Sequence, residues 1–147
     1  MPWTQAITGQ PRIRGFLDRL AGNPPHALLM EGGSGQERMD LSLFWAARLH
    51  CQQPDSPCGT CRFCLQIFGN TFRDLFILGH DLGTISIEMV REVRLVLSDP
   101  PSGSGPRVVI LAAAQNLTTA AANALLKSLE EPWPGNVFVL LAPTREI

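Results

Sequence analysis

The run HALLMEGGSGQERMDLSLFWAARLH, residues 26–50, decides the fold. Residues 26–30 are a short apolar segment that suits a buried strand, residues 32–35 a glycine turn, and the segment from about Arg38 to His50 reads as a helix. In that order the three form the arrangement in which backbone N–H groups wrap a phosphate, glycines allowing positive φ and close approach. Gly32, Gly33, Ser34 and Gly35 keep this turn chemistry. Where a working loop carries Gly-Lys-Ser or Gly-Lys-Thr, this chain has Glu37, Arg38 and Met39. Glu37 brings negative charge toward a polyanion, and Arg38 offers a planar fork in place of a compact ammonium. Met39 cannot ligate magnesium.

Outward from this run, strands and helices alternate. Residues 10–21 place Ile13, Phe16, Leu17 and Leu20 at helical spacing. Beyond residue 69, DLFIL (74–78) reads as a second strand, and Ser86 caps a helix whose inner face is Met89, Val90, Val93 and Leu97. RVVIL (107–111) is a third strand. Thr118 or Thr119 starts a helix with Ala122, Leu125, Leu126 and Leu129 inward, ended by Pro132. NVFVLLA (136–142) is a fourth strand. Continuous apolar strands between helices predict a parallel sheet covered on both faces. The chain stops near the end of that fourth strand, and we read residues 1–147 as one incomplete domain, truncated before a further lid.

A nucleotide hydrolase of this design needs an acid after the third strand to hold magnesium and orient water. Ala112, Ala113, Ala114 and Gln115 stand there, and no Asp or Glu lies between Asp99 and Glu130. The chain's single lysine is Lys127. With both charge-stabilising elements missing, no ATP hydrolysis and no ATP cofactor are expected.

All four cysteines fall in CQQPDSPCGTCRFC, spaced Cys51-x6-Cys58-x2-Cys61-x2-Cys64. A Cys-x2-Cys step brings two thiolates onto one ion, and four thiolates suit structural zinc with no position left for water. We expect residues 51–69 to be a zinc module closed by a short helix, with His50 a bystander. A redox thiol pair is the main competing reading. A nucleic-acid-binding zinc module is another, but only Arg62 and Arg73 are near and net charge is −1. The N-terminus lacks the basic start and apolar stretch of a signal peptide, and no apolar run can span a bilayer, so a cytoplasmic location without membrane contact is expected.

These residues together resemble the clamp-loader family of AAA+ ATPases, and within it the delta-prime-like branch of bacterial DNA polymerase III. ITGQPRIRGFLDRL (7–20) is similar to the family's opening box beside the adenine. PPHALLMEGGSGQERM (24–39) matches its phosphate-loop region, with the three departures above. The cysteine run matches an inserted zinc module, its first spacing about two residues short of the family pattern. ISIEMVREVRLVLSDPPSGSGPRVVIL (85–111) and LTTAAANALLKSLEEPWPGNVFVLLAPT (117–144) match further family segments, the last most specifically.

The resemblance implies an AAA+ P-loop-type sheet whose ATP chemistry has lapsed, serving as a stator-like structural subunit. Its implied partners are gamma/tau-like and delta-like subunits and, through the assembly, the sliding clamp and primer-template DNA. A trans-acting arginine, a helical lid and a collar domain are implied beyond Ile147. The alternative within the family is an active ATPase in which Arg38 replaces lysine. Thr144 sits near the family's sensor position, but Pro143 and Arg145 depart from the pattern and no role is assigned.

Several other residues have plainer readings. His80 and Asp81 read as a solvated turn, Asp99 as a helix end and Trp45 as core. Ser34 lacks the spacing of a nucleophile elbow. Trp133, between two prolines, is either an anchor for a neighbour or a cover for the last helix. Arg91 and Arg94 read as a solvated face paired with Glu88 and Glu92, or as part of a helix directed at DNA.

Overall fold

The computed structural model describes residues 10–143. Most of the ITGQ box (residues 7–9), Thr144 and Arg145 lie outside the described residues. The order is α1 (Pro11–Leu20), β1 (Ala27–Glu31), α2 (Gly35–His50), α3 (Arg62–Phe68), β2 (Leu75–Leu78), α4 (Ile87–Leu97), β3 (Arg107–Leu111), a 3-10 turn (Ala114–Asn116), α5 (Thr119–Glu130) and β4 (Asn136–Ala142). The four strands form one parallel sheet in the order β1-β4-β3-β2. Parallel neighbours need long crossovers, and helices supply them on both faces.

The period of two along each strand sorts the core into two halves. Val108 and Ile110 of β3, with Val137, Val139 and Leu141 of β4, pack under α1 and α2 around the fully buried Trp45. Val109 and Leu111, with Phe138, pack under α4 and α5. The cysteine loop and α3 join the first half, where Cys51, Cys64 and Ile67 are buried.

Three sequence expectations need correction. α2 starts at Gly35, not near Arg38, because Ser34 caps it. Met89 is exposed, so the inner face of α4 is Val90, Val93 and Leu97. Leu126 is exposed too, and α5 turns Ala121, Ala124, Leu125 and Ser128 inward. Small side chains at 121, 124 and 128 form a buried i, i+3, i+7 stripe, of which Ala121 and Ala124 join the core shared with α4. The caps themselves lie where expected: Ser86 Oγ accepts from Met89 N–H at 3.4 Å, and Thr118 Oγ from Ala121 N–H at 3.0 Å.

A buried polar network anchors the N-terminal ends of the strands. The Arg107 guanidinium donates to the Asp99 and Pro100 carbonyls at 2.9 and 3.1 Å and to Asn136 Oδ1 at 3.1 Å. Asn136 Nδ2 donates to the carbonyls of Leu97 and Trp133 at 3.0 and 3.1 Å. Asp74 faces Arg107 Nε at 3.9 Å and accepts from Ser102 N–H at 3.2 Å. These bonds satisfy buried polar groups that would otherwise be costly, Arg107 Nε excepted, and they fix the loops after α4 and α5.

Candidate metal centre and glycine turn

The cysteine loop is held at both ends by helices. Cys51 caps the C-terminus of α2, and Cys61 caps the N-terminus of α3, its sulfur accepting from Cys64 N–H at 3.5 Å. Cys58 N–H points at Cys51 Sγ at 3.4 Å, and the N–H groups of Thr60 and Cys61 point at Cys58 Sγ at 3.4 and 3.2 Å. Donors aimed at sulfur favour the thiolate. The Thr60 N–H, with lesser help from Cys61, brings the Cys58 thiol down to about 6. Burial pushes the Cys64 thiol the other way.

The four sulfurs lie within 4.8 Å of one another, placed to hold one metal ion. Four soft donors with no position for water fit a closed tetrahedral site, the chemistry of structural zinc. His50 is not among the ligands. Its Nε2 lies 2.6 Å from the Pro106 carbonyl, and its ring meets Phe72 edge-on at 4.7 Å. Burial lowers its pKa from the ordinary value. The imidazole lies against bare backbone, since a Cβ on Gly105 would stand 2.5 Å from His50 Nδ1.

The glycine turn is organised by its own side chains. Gly32 and Gly33 have φ of 82° and 59°, the left-handed region that glycine enters without strain. Ser34 Oγ accepts from Glu37 N–H at 3.1 Å, and Glu37 Oε1 accepts from Ser34 N–H at 3.4 Å, a reciprocal capping box. Arg38 folds back and donates from Nη1 to the Gly32 and Gly33 carbonyls at 2.7 and 2.8 Å. The Glu37 carboxylate thus lies at the N-terminus of α2, and the Ser34 and Glu37 N–H donors are engaged within the turn. Met39 packs against the core under α2, with Ser42 Oγ 3.6 Å from its sulfur. At the end of β3, Ala113 is buried and Ala112 N–H donates to the Leu78 carbonyl at 2.8 Å.

Sequence reading missed the capping box, although Ser34-x-x-Glu37 is its written signature. His80 and Asp81 form an exposed turn in which Asp81 Oδ1 accepts from Gly83 N–H at 3.0 Å. Among the described residues Arg94 forms no ion pair with a glutamate; its guanidinium carbon lies 5.8 Å from the centre of the Trp133 ring. Trp133 is about one third exposed.

With this geometry in view, the chain can be set beside known proteins. The family model described as DNA polymerase III, delta subunit, matches residues 16–147. DNA polymerase III subunit delta' of Escherichia coli (strain K12) is 40% identical over 147 residues, covering 92% of this chain and 43% of that protein. The subunit delta' of Pseudomonas aeruginosa is 34% identical over 147 residues, covering 96% of this chain and 42% of its own length. The chain thus spans about two fifths of these relatives. In structure it is similar to a DNA polymerase III gamma subunit-related protein from Thermotoga maritima, with TM-score 0.62, 20% identity, and coverage of 90% of this chain and 39% of that one. That likeness concerns the fold.

Proposed function

The chain belongs to the family described as DNA polymerase III, delta subunit, and from that premise we propose that it is a non-hydrolysing structural part of a clamp loader. In this reading it holds gamma/tau-like and delta-like neighbours in register while they use ATP to open a sliding clamp and load it at primed DNA in the cytoplasm. Among the described residues no helix is long and apolar enough to cross a membrane.

The observation that carries the reading is the internal bonding of the glycine turn. Glu37 places its carboxylate on Ser34 N–H at the start of α2, and Arg38 spans two carbonyls of its own loop. Catalysis of phosphoryl transfer depends on charges aimed at the transferring group. Neither the turn nor Ala112 and Ala113 after β3 offers such a charge. Zinc in the Cys51, Cys58, Cys61 and Cys64 set would fasten the loop between α2 and α3 and take no part in chemistry.

Calorimetric titration with ATP and magnesium tests this. The parent should give no heat of binding, whereas Glu37→Gly with Arg38→Lys and Met39→Thr should regain it. Micromolar binding by the parent, with turnover, would overturn the reading and favour an active ATPase.

A further inference from the structure

A recess lies at the end of the sheet opposite the glycine turn. α2 ends at His50, β2 begins at Leu75 and β3 at Arg107, so the cysteine module and the loop before β3 meet there. They enclose about 590 Å³, with Arg62, Phe63, Gln66, Phe72, Arg73 and the 102–104 backbone on the walls. That volume is in the range of sites that take a small organic group.

The walls combine rings and cations. Phe72 meets Phe63 nearly perpendicular at 6.1 Å and His50 edge-on at 4.7 Å. The Arg62 guanidinium carbon lies 5.2 Å from the centre of the Phe63 ring. Arg62 and Arg73 are both exposed, and among the described residues neither forms an ion pair. The one carboxylate on the walls, Asp74, is buried and engaged by Ser102 N–H and Arg107. The recess is therefore locally basic in a chain whose net charge is −1. Gln66 adds an amide that can both donate and accept.

We propose that this recess binds single-stranded nucleic acid. Phe63 and Phe72 offer ring surface to one unstacked base, Gln66 reads its edge, and Arg62 and Arg73 contact the flanking phosphates. Rings beside guanidinium groups are the combination that holds single strands without strong sequence preference. A duplex keeps its bases stacked inside and leaves the rings unused. An acidic peptide would satisfy the two arginines but not the aromatic walls. The proposal does not rest on the clamp-loader reading, because it concerns the other end of the sheet and would stand even if the glycine turn bound ATP.

The test is fluorescence anisotropy of a labelled oligothymidylate of about twelve nucleotides, titrated with the zinc-loaded protein at several salt concentrations. Two phosphate contacts give a slope of about −1.4 in log affinity against log salt. Arg62→Ala with Arg73→Ala should weaken binding about tenfold at low salt and flatten that slope. Both arginines are exposed, so the thermal midpoint of this variant should match the parent. Phe63→Leu should weaken binding about fivefold or more and leave the slope unchanged. Absence of binding by the parent at micromolar concentrations would overturn the proposal. So would an unaffected double arginine variant, or equal affinity for a duplex or for a poly-glutamate peptide of similar length.

Discussion

Two loops leave opposite ends of the same parallel sheet and treat their hydrogen-bond donors in opposite ways. In the glycine turn, Ser34 and Glu37 exchange bonds and Arg38 covers two carbonyls, so the loop supplies its own anion and its own cation. In the cysteine loop, four N–H groups point at sulfurs that converge within 4.8 Å, an arrangement placed to hold one metal ion. In the proposed reading the glycine turn stands without a ligand, whereas a metal ion would fasten the cysteine loop. The difference teaches that keeping a turn's glycines does not keep its donors free, because what counts is where those donors point.

The sharpest way to break this comparison is to take the metal away. Chelation should lower the thermal midpoint substantially and reduce helicity, because α3 and the His50–Phe72 contact both lean on the loop. Cys64→Ser, which changes a buried ligand, should do the same and abolish stoichiometric zinc in elemental analysis. An unchanged midpoint after chelation would mean that the cysteine loop stands alone, like the glycine turn.

A smaller effect is expected beside it, at the same end of the sheet. Asp74→Ala leaves the buried Arg107 charge without its carboxylate and Ser102 N–H without an acceptor. Breaking one side of such a pair costs about 3 kcal/mol, measurable by urea unfolding. A cost below about 1 kcal/mol would show that the carbonyls of Asp99 and Pro100 suffice for Arg107. At the glycine end the effects should be smaller again. Ser34→Ala removes one cap bond of α2 and should cost about 1 kcal/mol.

Much of this was legible in the sequence, for reasons that differ by element. β3 and β4 read correctly because strands buried on both faces need continuous apolar runs. Ser86 and Thr118 announced helix starts because a short hydroxyl is the natural acceptor for the orphan N–H groups there. The inner face of α5 is legible in part: Leu125 and Leu129 do reach the core, but Leu126 is exposed and the small residues Ala121, Ala124 and Ser128 are buried instead. Ser34-x-x-Glu37 is visible in the sequence, but Glu37 and Arg38 also fall where a phosphate loop carries its glycine and lysine, and the cap is masked by that pattern. The contacts of His50 with Pro106, 56 residues away, and of Arg107 with Asn136, 29 away, carry no local signature at all.

The smallest expected effect separates charge from shape at Glu37. Glutamine can keep the reciprocal bond to Ser34 N–H, since a capping box accepts either residue. What Glu37→Gln removes is the negative charge at the N-terminus of α2. If that carboxylate acts as the resident anion, the variant should lose about 0.5 kcal/mol in urea unfolding at low salt. The loss should shrink toward zero at high salt, because an exposed charge is screened. Added phosphate should then stabilise the variant more than the parent, since the N–H groups no longer face a carboxylate. Equal stability of the two proteins at every salt concentration, with no differential response to phosphate, would make Glu37 a cap and nothing more. The glycine turn would then be open to an external anion, and its contrast with the cysteine loop would narrow to the missing lysine and acid.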